Sequence, residues 1–212
     1  MPASIRTELT RLLREGALEG IVELSRTRRN VVKRLVALTY ERDDVISWRA
    51  MEAVGRIAGG LAPDQGREFI QRILWMMREE SGTNAWSSPY ILGEILRENP
   101  EPYSDIVPVL ASFHDEEFFA AGVLWALMRI GQRWPRLVEP HACVAREHIS
   151  SADPAARGYA ALLLGVLGME FPLEIFAGDE TEIPLYTDGS LVRKPLAELA
   201  SEAGQTAGKG GR

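Results

Sequence analysis

Apolar residues recur three and four positions apart along most of the chain, the spacing that gathers them on one face of a helix. Ile5, Leu9, Leu12 and Leu13 form the first set, with Ser4 placed to cap it and Gly16 to stop it. Leu18, Ile21, Val22 and Leu24 form a shorter second set, and Val31, Val32, Leu35, Val36 and Leu38 a third. Asp43 or Asp44 then opens a helix that ends at Gly59-Gly60. Gln65 to Glu80 carries Phe69, Ile70, Ile73, Leu74, Trp75 and Met77, and Ser81-Gly82 breaks it. Pro89 either begins the next helix, with Ser88 as cap, or kinks it, and Asn99-Pro100-Glu101-Pro102 closes that unit. Tyr103 to Phe113 and Trp134 to about Ile149 are two further helices, and Asp153-Pro154 caps one closed by Gly165 and Gly168.

The second helix of each pair repeats. Superposing Gly55, Gly93, Met128 and Gly165 aligns Ala50 with Ser88, Val123 and Ala160, and Val54 with Leu92, Leu127 and Leu164. It also aligns Ile57 with Ile95, Ile130 and Leu167, and Trp48 with Trp86, Ala121 and Gly158. A period of roughly 35 to 40 residues with two helices per unit is the mark of an α-solenoid, whose units bury their apolar faces only by stacking. The predicted class is all-α, an α-α superhelix forming a single domain over residues 1–203. Residues 1–27 are a terminal cap, 28–170 the repeats and 171–203 a carboxy-terminal cap. In that last part Glu182 to Thr187 and Leu191 to Arg193 flank Asp188-Gly189-Ser190, which predicts a β-hairpin, and Lys194 to Ala203 a closing helix. Residues 204–212 are glycine-rich and predicted to be disordered.

The stretches Ile46 to Ile57, Trp86 to Ile95 and Asp153 to Gly165 resemble the second helix of HEAT-like repeats of the type found in phycobilin lyases. The resemblance spans about residues 28 to 200 and points to uncharacterised bacterial HEAT-like (PBS-lyase-type) repeat proteins. It implies that the second helices line a concave face.

With helices 100 degrees per residue, one column of that face holds Glu52, Tyr90, Trp125 and Leu162. Its neighbour holds Arg56, Glu94, Arg129 and Val166. Both columns point away from the core columns, with Trp48 and Trp86 along a margin, so these eight ionic and aromatic side chains are the candidate binding residues. Exposed large aromatics signal an interaction surface, although packing beneath the carboxy-terminal segment accounts for them equally well. Arg56, Glu94 and Arg129 are also placed to form a salt-bridge ladder between helices. The reading that follows is a scaffold or adaptor taking a peptide or protein segment in the groove. On that reading Tyr90 and Trp125 can be removed together without unfolding the chain. The alternative is a small-molecule-binding or lyase-like enzyme with a pocket around Trp86, Glu52 and Arg129.

Composition narrows the field. A net charge of -6 argues against a general nucleic-acid surface. The basic run Arg26, Arg28, Arg29, Lys33 and Arg34 reads as a solvated loop and first helical turn, with an anion or acidic partner as the other reading. A single cysteine, Cys143, excludes a disulfide framework within the chain. No leader-like or membrane-spanning run is visible, so a cytoplasmic protein is expected. There is no P-loop, no Gly-x-Gly-x-x-Gly, no nucleophile elbow and no His-Glu-x-x-His, and no cofactor is implied. His114-Asp115-Glu116-Glu117 reads as an acidic helix start rather than a metal site. His141 and His148 read as ordinary histidines.

Overall fold

The computed structural model describes residues 4–78, 85–187 and 189–210. Helix α1 (Ile5–Glu15) is capped by the Ser4 side chain on the Thr7 amide and ended by Gly16 at φ 70. Helices α2 (Leu18–Thr27) and α3 (Val31–Val36) follow it. Asp44 caps α4 (Val45–Gly59) through the Ile46 amide, and α5 (Pro63–Arg78) comes next. A 3-10 turn at Ala85–Ser87 leads into α6 (Ser88–Glu98), so the helix starts at Ser88 with Ser87 in the cap position. The break expected at Ser81-Gly82 and the turn residue Asp188 lie outside the described residues.

The next two first-of-pair helices are broken where single helices were expected. Tyr103 to Phe113 divides into a 3-10 turn Glu101–Tyr103, α7 (Ile106–Ala111) and a 3-10 turn Ser112–Asp115. Trp134 to Ile149 divides into α9 (Pro135–Val138), a turn Glu139–His141 and α10 (Ala142–His148). Pro102 directly precedes the first run and Pro140 falls inside the second, and each lacks the amide and the room that a continuing helix needs. Their partners, α8 (Glu117–Gly131) and α11 (Pro154–Val166), are unbroken.

Helices α4, α6, α8 and α11 pack each on the next and form the spine of the molecule. The superposition column of the sequence explains how closely they approach. A Cβ added to Gly93 would sit 2.7 Å from the Cα of Ala126 on α8, and one on Gly55 2.4 Å from the Cβ of Glu94. Only glycine lets these backbones touch. The protein is therefore an all-α superhelical stack of helix pairs.

Strands β1 (Glu182–Thr187) and β2 (Ser190–Pro195) form an antiparallel hairpin, with Thr187 opposite Ser190 and Glu182 opposite Pro195. Gly189 takes φ 76 in the turn, as the sequence demands. Helix α12 (Leu196–Gly210) then packs on α11. Where residues 204–212 were expected to be disordered, the helix continues to Gly210, and Ala203 and Ala207 are buried on its apolar face.

Candidate functional site

The two columns expected to face outward are largely interior. Tyr90 is 7% exposed, Trp125 1%, Glu52 5%, and Glu94 and Arg129 3% each. Arg56, Leu162 and Val166 are half-buried, the Arg56 side chain being 34% exposed. The reason is a layer that spans residues far apart in the chain. The amino-terminal helices and the carboxy-terminal hairpin both lie over α4.

Arg49 of α4 joins those two coverings. Its Nη1 donates to the carbonyls of Leu13 and Arg14 at the end of α1, each at 2.7 Å, and its Nε to the carbonyl of Gly189 at the hairpin tip. The Leu13 carbonyl also accepts the Gly16 amide, whereas the Arg14 carbonyl, among the last of α1, gains its partner from Arg49. From the other side, Tyr159 of α11 donates to the Pro184 carbonyl. The hairpin thus runs from α11 across to α4.

Its anchor is Tyr186, whose ring stacks on Trp48 at 5.7 Å and whose hydroxyl donates to Glu52 Oε2 at 2.5 Å. Burial, and then the neighbouring Glu52 carboxylate, push the Tyr186 hydroxyl far above its ordinary value and keep it a donor. Trp48 also meets Tyr90 edge-on at 5.2 Å and Trp125 at 5.4 Å, while its Nε1 donates to the Arg42 carbonyl. Trp48 is the centre of an aromatic core rather than a groove margin. Packing beneath the carboxy-terminal segment describes Trp48, under Tyr186, while Trp125 is buried against Trp48 and Tyr90.

Of the expected ionic ladder, among the described residues only the Glu94–Arg129 rung joins two spine helices. Arg129 of α8 donates from Nε to Glu94 of α6 at 2.7 Å, whereas Arg56 pairs with Glu52 on its own helix and with Glu19 of α2. Burial raises the Glu94 carboxyl above its ordinary range, and Arg129 opposes that shift. Glu52 and Arg129 sit in separate pairs, and neither is among the residues lining the cavity of about 560 Å³ that Trp86 reaches.

Three of the eight predicted residues reach an opening, Arg56 at the basic run and Trp86 and Tyr90 together at one edge of the spine. Trp86 and Tyr90 floor the cavity of about 560 Å³, whose other walls are Arg42, Glu117, Phe118, Ala121, Gly122 and Asp153. Its position follows from the repeat. Arg42, Trp86, Glu117 and Asp153 each stand at the amino-terminal end of a spine helix, so four consecutive units contribute to one edge. Phe118 is 57% exposed at the mouth. Arg42 lies over the Trp86 ring, its guanidinium carbon 5.0 Å from the centroid. Asp153 caps α11 through Oδ1 on the Ala155 amide. Among the described residues neither Asp153 nor Glu117 has an ion-pair partner, and the Tyr90 hydroxyl has no hydrogen bond. Burial drives that hydroxyl up, so it remains protonated.

Phe118, Glu117 and Asp153 were missed as site residues. The sequence signal was their common position at helix starts, which alone reads as dipole compensation. A larger hollow of about 750 Å³ lies along the basic run, between Arg26, Arg28, Arg29 and Arg56 over Val22, Ile57 and Leu61. Arg26 and Arg56 are already paired there with Glu23 and with Glu19 and Glu52.

No protein-family profile matches the chain. An uncharacterized protein of Archaeoglobus fulgidus is 27% identical over 180 residues, covering 81% of this chain and 94% of that protein. That relative is archaeal and lends no support to a purely bacterial family. Among solved structures the chain is similar to a designed armadillo repeat protein in complex with the peptide (KR)4. The TM-score is 0.49 at 12% identity, over 98% of this chain and 99% of that one. Among the described residues no helix is long and apolar enough to cross a membrane.

Proposed function

We propose that the protein is an interaction scaffold whose edge cavity takes a basic side chain, lysine or arginine, from a peptide segment of a partner protein. The cavity's own chemistry carries this reading: aromatic walls from Trp86, Tyr90 and Phe118 beside the unpaired carboxylates of Glu117 and Asp153. Aromatic faces attract a cation, and a nearby carboxylate adds to that attraction in a partly desolvated site. Arg42 already uses the Trp86 ring in this way. An exposed Phe118 at the rim gives the flanking residues of the segment an apolar contact.

The reading narrows the groove first expected from the sequence to its edge, because the hairpin occupies the inner wall. Selection from a randomised displayed-peptide library should enrich Lys or Arg at one fixed position next to apolar residues. Binding of a selected peptide, followed by fluorescence anisotropy, should weaken about tenfold or more in Phe118→Ala. It should weaken again in Glu117→Gln/Asp153→Asn, in which asparagine preserves the helix cap. Enrichment of acidic peptides, or indifference to all three changes, would refute the proposal.

A second reading rests on Arg42. With Glu117 and Asp153 it offers both charges around a volume within the roughly 300–1,000 Å³ of small-molecule sites, which suits a zwitterionic metabolite. A stoichiometric small ligand in native mass spectra of freshly purified protein would favour it.

A further inference from the structure

His114 and His148 lie one repeat apart in sequence, and stacking brings equivalent positions of neighbouring units together. His114 lies in the 3-10 turn Ser112–Asp115 after α7, and His148 ends α10. Their rings stand perpendicular, and His114 Nδ1 is 3.2 Å from His148 Nε2. Two nitrogens on one tetrahedral ion with bonds of about 2.0–2.1 Å are separated by roughly 3.3 Å, nearly the same distance.

Carboxylates complete the set. Glu147 Oε2 lies 3.8 Å from the same Nδ1 of His114, while Asp115 Oδ1 lies 3.5 Å from its other nitrogen, Nε2. One donor atom from each of His114, Asp115 and Glu147 falls within 4.8 Å of the others, and His148, outside that trio, joins it through its Nε2 beside His114 Nδ1. A histidine that ligates a metal through one nitrogen is characteristically held by a carboxylate on the other. The Asp115 and Glu147 side chains are exposed, leaving the cluster open to an ion from solution.

We propose that His114 Nδ1, His148 Nε2 and Glu147 hold one divalent transition-metal ion, with Asp115 orienting His114. Two imidazoles and a carboxylate suit Zn²⁺ best, with remaining positions left to water. The ion would staple the third helix pair to the fourth. The proposal is independent of the edge cavity's ligand.

The test is calorimetric titration of chelator-treated full-length protein with Zn²⁺, and visible absorption of the Co²⁺-loaded form. One ion per chain and a four- or five-coordinate Co²⁺ spectrum are expected. Asp115→Asn should weaken Zn²⁺ by about 10–100-fold. His114→Gln and His148→Gln should each weaken it further, and His141→Gln should leave it unchanged. Zn²⁺ should also raise the melting temperature of the wild type but not of His148→Gln. No stoichiometric binding by the wild type, or equal binding by His114→Gln and His148→Gln with circular dichroism unchanged, would overturn the assignment.

Discussion

Replacing Trp48 with alanine should lower the unfolding free energy by about 3–5 kcal/mol, the range for removing a large buried aromatic ring. Its side chain contacts Tyr90, Trp125 and Tyr186 and bonds the Arg42 carbonyl, so four separate segments lose a shared partner at once. Trp75, 61% exposed on α5, is the control, and its alanine variant should stay within about 0.5 kcal/mol of wild type. Urea unfolding of the two variants makes the comparison. A Trp48→Ala cost as small as that of Trp75→Ala would mean that the aromatic core is not assembled as described. The same burial overturns the expectation that Tyr90 and Trp125 can be removed together with the fold intact.

The Glu94–Arg129 pair should show a similarly large effect with a distinctive pattern. Arg129→Leu leaves a carboxylate only 2% exposed at its side chain, with Arg97 at 3.6 Å as its remaining cation. Breaking a buried pair from one side costs about 3–5 kcal/mol, whereas replacing both partners with apolar residues is often nearly neutral. The double variant Glu94→Leu/Arg129→Leu should therefore recover most of the stability lost by Arg129→Leu. The pH dependence follows from the direction of the Glu94 shift. Its folded carboxyl is raised above the ordinary value near 4.5, so the folded chain binds the proton more tightly than the unfolded chain. Stability from this group is full at low pH and falls as pH rises past 4.5 toward the folded value. Losing Arg129 raises that value further. The deficit of Arg129→Leu should thus be least in acid and greatest near neutrality, as read by denaturant midpoints across pH.

The repeat was legible because its evidence is local. Glycine and alanine at matching places in α4, α6 and α11 report helices that touch, and Ser4, Asp44 and Asp153 cap the helices they precede. Gly189 and the apolar strands beside it likewise reveal the hairpin. What the hairpin covers was not legible. Tyr186 reaches Glu52 from 134 residues away, and nothing in either neighbourhood specifies that pairing. Columns that alternate aromatic and ionic residues look like an exposed wall until their cover is known. Buried, the same residues satisfy one another, Glu52 through Tyr186 and Arg56, and Glu94 through Arg129. The edge cavity was partly legible through Trp86 and Tyr90. Its carboxylates were hidden behind their simpler role at helix starts.

Indole N–H resonances offer the most direct test of where the protein binds, since the five tryptophans sample distinct surroundings. During titration with a library-selected basic peptide, the Trp86 signal should move strongly while those of Trp48 and Trp125 stay in place, because the hairpin keeps the inner wall closed. Large shifts of Trp48 and Trp125, with loss of amide protection in β1 and β2, would place the segment beneath the hairpin and contradict the edge-cavity account.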